Sequence, residues 1–299
     1  MAPALKFTMT TAAWGTGVRR LPGGTMGPTS IPSVTALPRD VEGAIREWWQ
    51  GTKAAPAWLT LAWYDTVLRY RKSLLGPLWI TLSIGIMLMG MGPLYSLIFG
   101  VPLGGYFPYV TLGIVFWRFI SSTITEGCTA VTGAGRYMKQ APFPLSLFTW
   151  RLVAKNVIHA AHDILVFVPV AIYFGIAPGW HALAFVPAFA LVVLTLQAAA
   201  TVIGIACARF SDFTQVVMSV MQMLMFLTPV FWVPEGDVSR SRIIAYNPLY
   251  YPLELLRRPF LGQEIPPEFW VRTGVLCAAA CMAALLLTAL KRRQLVYWI

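Results

Sequence analysis

Two stretches of this 299-residue chain, Ser73 to Trp117 and Ile164 to Ala208, contain no Asp, Glu, Lys or Arg over 45 residues each. A soluble domain carries about 25% charged residues, so gaps of this length leave nothing to keep the chain in water. A helix needs about 20 mostly apolar residues to cross roughly 30 Å of hydrocarbon, so each stretch has the length of two spans. Gly and Pro mark the breaks, at Gly100 to Pro108 and at Ala177-Pro178-Gly179. Two single charge-free runs follow, Phe213 to Pro234 and Thr273 to Leu290. The pattern predicts an all-α integral membrane protein with six transmembrane helices, at about 75–99, 107–125, 153–174, 181–206, 213–233 and 270–290. Only 12% of the residues are charged and mean hydropathy is +0.65, which excludes an ordinary soluble enzyme and a disordered chain.

The sparse charge is lopsided, with a net +11. In a soluble protein that balance would suggest nucleic acid; here it is a topology signal and a contact for anionic lipid. With six spans both termini share a side, and that side holds 17 of the 23 cations against five opposite, Arg118 lying within a span. The excess places both ends in the cytoplasm. The segment opposite, 234–269, has five of the twelve acids and is nearly neutral.

The first 38 residues contain no acid and are rich in Gly, Pro, Thr and Ser. They are expected to be a disordered cytoplasmic tail or an over-extended start with Met26 as the true beginning; a transit peptide is the other reading. Structure is expected from Pro38-Arg39-Asp40, with Asp40 capping a short helix. Its apolar residues Val41, Ile45, Trp48 and Trp49 fall on one face, which predicts an interfacial amphipathic helix ahead of the first span, within a 39–72 segment. Cys128, Cys207, Cys277 and Cys281 have no ligand or disulfide spacing and read as packing residues. The 40 aromatic residues fit interfacial belts and packing, and could also line a passage for sugars. There is no phosphate-binding GxxxxGK[ST] motif and no Ser-His-Asp arrangement, so this chain is not expected to be an enzyme or to hydrolyse ATP by itself.

One span carries a polar stripe. Lys155, His159 and Asp163 are spaced i, i+4, i+8 with His162 beside them, and Asp163 is the only acid between Glu126 and Asp212. An ionisable group in hydrocarbon is costly, about 2.5–3.5 kcal/mol on insertion scales, so it marks a site. The favoured reading is an interhelical ion pair, for instance Asp163 with Arg118. Polar lining of a translocation path is the next, and a proton relay or a His159-x-x-His162-Asp163 metal site are the others.

The run Leu61 to Trp79 (LAWYDTVLRYRKSLLGPLW) resembles the start of the first span in permease subunits of ABC-type polysaccharide exporters, through Asp65, Arg69, Tyr70, Arg71, Ser73, Leu75, Gly76, Leu78 and Trp79. The similarity continues through Tyr109 to Ser121, Arg136 to Phe148, Ala208 to Asp212 and Asn247 to Gly262. The long N-terminal extension and Arg118 depart from the family pattern. The resemblance, closest to the O-antigen and lipopolysaccharide branch, implies a multi-pass homodimer in the bacterial inner membrane. It would join two copies of an ATP-binding cassette subunit and export a lipid-linked polysaccharide carried on undecaprenyl diphosphate. ATP and Mg would be held by the partner subunit, with no cofactor, metal or nucleic acid on this chain. Capsule, teichoic acid and small lipid or drug exporters are the neighbouring readings. A membrane-embedded transferase using Asp163 and the histidines is the rival from another class.

The same resemblance makes Arg136, Tyr137, Met138, Lys139, Pro142, Phe143 and Pro144, within a loop at 126–151, the coupling element that docks in the ATPase. It makes Asn247, Pro248, Tyr250, Tyr251, Arg257 and Arg258 short gate helices on the periplasmic side. The residues agree on physical grounds: a loop presenting Tyr137, Met138, Phe143 and Phe148 needs a partner or a membrane surface. Arg69, Arg71 and Lys72 fall at headgroup depth and suit a lipid diphosphate, or serve as positive-inside determinants that meet any anionic lipid.

Overall fold

Every regular element among the described residues is a helix. The computed structural model describes residues 37–71, 76, 78–138, 143–234 and 242–298; the expectation for 1–38 therefore falls almost wholly outside them. Two amphipathic helices come first, α1 (Leu37–Lys53) and α2 (Ala55–Tyr70). They are separated only at Ala54, where Pro56 sits in the first turn of α2, the position at which a missing N–H costs nothing. Helix α1 starts at Leu37, so Asp40 lies inside it and not at its cap.

Then come α3 (Leu78–Phe99), α4 (Leu103–Gly133), the one-turn α5 (Gly135–Met138) and α6 (Leu145–Asp163). A 3₁₀ turn at Ile164–Val166 joins α6 to α7 (Phe167–Phe174), and another at Gly179–Ala184 leads into α8 (Phe185–Arg209). The chain continues through α9 (Phe213–Leu227), the short α10 (Arg242–Ala245) and α11 (Tyr250–Arg257), and a 3₁₀ turn at Arg258–Leu261. It ends in α12 (Pro267–Trp298). Among the described residues five segments are long and apolar enough to cross a membrane: Thr81–Phe99, Leu103–Gly133, Leu145–Phe174, Gly179–Arg209 and Pro267–Lys291. The expected 213–233 span is represented by α9, a 15-residue apolar helix of about 22 Å.

Helix α4 is the axis of the bundle. In its apolar window 72% of the residues are buried, against 22% for α3, so α4 is surrounded by protein while α3 presents most of its surface outward. It packs along α8 and α6, and α8 in turn packs along α12. The α4–α8 approach is close because glycine lines it. A Cβ on Gly204 would sit 2.7 Å from Val131 Cγ2 and 3.0 Å from the Gly127 carbonyl oxygen, and one on Gly127 would meet Ala200 Cα at 3.2 Å. Small residues at such a crossing let backbones make the dispersion contacts that hold helices together where no water drives them. Part of the aromatic wealth is packing: Phe185 lies between Phe116, Phe189 and Phe260, with centroids 4.8–6.0 Å apart. All four cysteines are free, three of them buried.

Two sequence-derived boundaries move. Helix α4 runs to Gly133 and α6 begins at Leu145, so most of the segment expected as a loop at 126–151 is helical. Glu126 and Arg151 flank the expected spans 107–125 and 153–174, but both have partners on neighbouring helices, as does Lys155, which removes the cost of placing them in helices.

Candidate functional site

Helix α6 is where the polar residues gather. Arg151, Lys155, His159 and Asp163 recur every four residues, so they form one slowly winding row about 18 Å long. At its start Arg151 grips Asp65 of α2 with two parallel bonds, Nε to Oδ2 at 2.7 Å and Nη2 to Oδ1 at 2.6 Å. This fork-to-carboxylate geometry is the strongest form of ion pair. The guanidinium also lies 5.6 Å over the Tyr137 ring. One turn on, Lys155 Nζ meets Glu126 Oε2 of α4 at 2.6 Å, while Arg69 of α2 reaches the other oxygen only at 3.9 Å and stays half exposed. These residues, with Thr129, line a cavity of about 320 Å³ between α2, α4 and α6.

Beyond the cavity the row enters the apolar part of the bundle. Tyr70 ends α2 edge-on to His159, with ring centroids 6.2 Å apart. Burial pushes the Tyr70 hydroxyl above its usual range, with the neighbouring Arg69 charge acting in the opposite sense. Asp163 lies 3.3 Å from Arg118 Nε, so the structure brings together the two charges that topology left unexplained. His162 Nδ1 is 2.7 Å from the Ile158 carbonyl of its own helix, and its backbone carbonyl accepts from Thr81 Oγ1 at 3.0 Å. Among the described residues no group of three His, Cys, Asp or Glu side chains stands close enough to hold a metal.

The N-terminus of α6 is anchored by α1. Leu145 N–H donates to Glu47 Oε1 at 2.9 Å, and Ser146 Oγ donates to the Glu47 carbonyl at 3.1 Å. A carboxylate there satisfies an orphan amide and complements the helix dipole. Trp48 Nε1 donates to Gln197 of α8 at 3.1 Å, and Gln197 donates in turn to Thr149. The amphipathic helix thus has two sides. Ala44 is buried against the bundle, while Ile45 and Trp49, with Trp63, Tyr64 and Leu68 on α2, form an exposed apolar surface of the kind that lies in a membrane interface.

Of the residues assigned to coupling, Tyr137 and Phe143 are each about two-fifths exposed, and both rest against Phe148, at 5.7 and 6.4 Å. Met138 packs inward against Ala134, Leu145 and Leu147. Pro144 is extended and precedes the first turn of α6. Arg136 lies in α5, with its side chain outside the described part, and Lys139 and Pro142 fall outside it altogether, as does Lys72. Arg71 is exposed at the end of α2.

A second polar centre stands near the other end of α4, where the gate residues had been placed. Arg257 has no exposure at all. Its Nη1 donates to the Pro229 carbonyl at 3.0 Å and its Nη2 to Tyr109 Oη at 2.7 Å; Nη2 also pairs with Glu254, and the guanidinium stacks 3.6 Å over the Tyr109 ring. Arg258 completes the Glu254 carboxylate at 3.0 Å from its other oxygen. Asn247 bonds Thr228 at 2.8 Å and receives the Leu249 N–H, closing the turn into α11. Tyr251 is held by Arg272 and by the Ala245 carbonyl. A Cβ on Gly113 would meet Val230 O at 2.7 Å and Arg257 Nη1 at 3.2 Å, so only glycine leaves room for this arginine. Arg257 is therefore an internal clamp joining α4, α11 and the Thr228–Val230 turn, while Pro248 is the exposed member of the set. Glu254, Tyr109, Glu126 and Arg151 are not among the site residues that the sequence suggests. Their partners lie up to 148 residues away, apart from the i, i+3 spacing of Glu254 and Arg257, which was legible.

Replacing Asp65 with Asn is expected to destabilise the chain by about 1–2 kcal/mol. The pair is bidentate yet a fifth to a third exposed, which keeps the effect at the low end for charged hydrogen bonds. Thermal unfolding in detergent, compared with Arg151→Gln and the double variant, measures it as a coupling energy.

Long apolar helices, paired charges inside their packing and a helix pair with an exposed apolar surface describe a multi-pass membrane protein. Residues 56–261, more than two thirds of the chain, match the ABC-2 type transporter family model, and the chain belongs to that family. ABC-2 permeases are transport subunits that work with ATP-binding cassette subunits. Two relatives, both named O-antigen export system permease protein RfbA from Klebsiella pneumoniae, are 23% and 22% identical over 208 residues, 69% of this chain and 80% of each relative.

Proposed function

We propose that this chain is the transmembrane subunit of an ATP-driven exporter that moves a lipid-linked polysaccharide of the O-antigen type, carried on undecaprenyl diphosphate, across the bacterial inner membrane. The observation that carries the reading is the extended similarity to O-antigen export permeases within an ABC-2 chain. Two copies form the pathway, each with six spans, α9 and the turn after it serving as the fifth, and both termini in the cytoplasm. Two ATP-binding cassette subunits hold ATP and Mg; this chain holds neither.

The coupling step runs through the segment from α5 to the start of α6. Tyr137 and Phe143 project aromatic surface, and what lies behind them is tied to Glu47 of α1, Asp65 of α2 and Glu126 of α4. A push on these rings by the closing ATPase is therefore passed to three helices at once. On the opposite side, the Arg257 clamp joins α11 to α4, so motion of α4 carries the short helices 242–261 that gate the exit. The sugar polymer passes between the two subunits while its lipid end stays near the bilayer.

Phe143→Asp places a charge where an apolar docking contact is needed and is expected to abolish partner-dependent export while leaving insertion and folding intact. Export is read as surface polysaccharide in cells carrying both subunits, with membrane fractionation as the control. Undiminished export in that variant refutes the docking assignment. Loss of surface polysaccharide on deletion of this chain tests the function itself.

A further inference from the structure

Arg118 stands at the midpoint of the 31-residue α4, the most enclosed helix of the bundle, and yet its side chain is 41% exposed. A guanidinium at that depth is costly unless something meets it. Asp163 does so only in part. Its Oδ2 faces Nε at 3.3 Å, while Oδ1 is buried without a hydrogen-bond partner, so the pair is not the two-bond fork seen between Arg151 and Asp65. Among the described residues neither Nη of Arg118 has a hydrogen-bond partner, and that edge faces out of the packing. Asp163 holds the arginine from behind and leaves its two-pronged face open.

Tyr70 stands between that face and the cavity lined by α2, α4 and α6, near enough to Arg69 on one side and to Asp163 and Arg118 on the other to feel all three charges. Arg69 and Lys155 share a single carboxylate there, Glu126, and Arg69 touches it only at 3.9 Å; Asp65 is already matched by Arg151. The cavity therefore has one cation in excess, on a half-exposed side chain able to swing. Between Arg69 and Arg118 lie Tyr70 and His159, whose buried Nε2 has no hydrogen-bond partner. Unsatisfied polar atoms in a low-dielectric interior are unfavourable unless water or a ligand completes them. Glu126 and Arg118 are eight residues apart on α4, about 12 Å, so the two cationic positions lie at different levels along one row of polar side chains.

We propose that this cavity and the polar row leading from it form a binding site for a phosphate or diphosphate group, which is taken up at Arg69 and Lys155 and held further along by the open fork of Arg118. Two N–H groups in one plane match two phosphate oxygens, a fit that an ammonium cannot reproduce. The inference rests on the exporter reading and adds to it a position for the charged end of the lipid, at the polar residues of α2, α4 and α6.

The test uses the full chain in phosphatidylcholine nanodiscs, with farnesyl diphosphate and inorganic diphosphate as separate probes and binding read calorimetrically. The native chain is expected to bind, and Arg118→Gln to weaken binding about tenfold to a hundredfold, the usual effect of losing one charge-assisted contact pair. Arg118→Lys recovers only part of it, since the charge returns without the fork. Because Arg118→Gln leaves Asp163 unpaired, the double variant Arg118→Gln/Asp163→Asn keeps the interior neutral and is expected to bind equally weakly. Arg69→Gln should weaken binding as well, and Arg46→Gln on the exposed face of α1 should not. Binding of both probes assigns the site to phosphate chemistry from any source, and binding of the farnesyl compound alone assigns it to a lipid headgroup; either supports the site. Native-like affinity in the folded double variant and in Arg69→Gln overturns it, as does absence of binding by the native chain. If the native chain does not bind while partner-dependent export persists, the site is refuted and the exporter reading stands. Intact binding without export of any glycolipid does the reverse.

Discussion

Arg257→Leu is expected to cost about 3–5 kcal/mol of stability, the largest effect of any charge change in this chain. The arginine is wholly buried and makes three polar contacts on three different segments, to Glu254, Tyr109 and the Pro229 carbonyl. Removing it leaves a buried carbonyl and a buried hydroxyl without that donor, and leaves Glu254 with Arg258 alone. Arg257→Lys keeps the charge but not the planar fork, nor its stacking on Tyr109, and is expected to fall between the two. Glu254→Gln combined with Arg257→Leu should recover part of the loss, because a neutral amide is left in place of a half-paired carboxylate. Tryptophan fluorescence during thermal unfolding in detergent reads these differences. A midpoint unchanged in Arg257→Leu contradicts the clamp.

The second large effect is expected at Gly204. A leucine there cannot be accommodated, since even a Cβ lies 2.7 Å from Val131 Cγ2 and 3.0 Å from the Gly127 carbonyl. The helices α4 and α8 must separate, and with α4 go Arg118 and Glu126, so stability and export fail together. Gly204→Ala is the finer probe. Overpacking of this kind costs about 1–3 kcal/mol, and the nearest atom is the end of a side chain, so Val131→Ala added to it should return most of the loss. If Gly204→Leu unfolds at the native temperature, the close approach of α4 and α8 is wrong.

Charge separates what is local in this chain from what its packing decides. Absence of charge located the apolar segments of α3, α4, α8 and α12, because hydrocarbon excludes charge irrespective of how helices are arranged. Presence of charge misled. Glu126 and Arg151 lie just outside the spans expected at 107–125 and 153–174, but helix α4 continues beyond the first and α6 begins before the second. Arg257, which the resemblance places in the gate helices on the periplasmic side, is the most deeply buried arginine described, which no local feature announces. In each case the missing information was a partner distant in sequence, such as Tyr109 for Arg257 or Asp65 for Arg151. The pairing of Arg118 with Asp163 was anticipated, since two isolated charges in one apolar bundle have few alternatives to each other.

By itself the sequence determined that the chain is helical, that long stretches of it belong in a membrane, and that its short motifs resemble those of ABC-type polysaccharide export permeases. These follow from local properties: hydropathy, spacing and residue order do not depend on what packs against them. Only the tertiary structure decided which charges are neutralised and which remain open. It placed Arg151 on Asp65, enclosed Arg257, and left Arg118 partly exposed against Asp163. Whether a charge is a structural tie or a binding group depends on the distance to its counter-charge and on the room around it. Both are set by how α2, α4 and α6 come together, and neither is written at any single position of the chain.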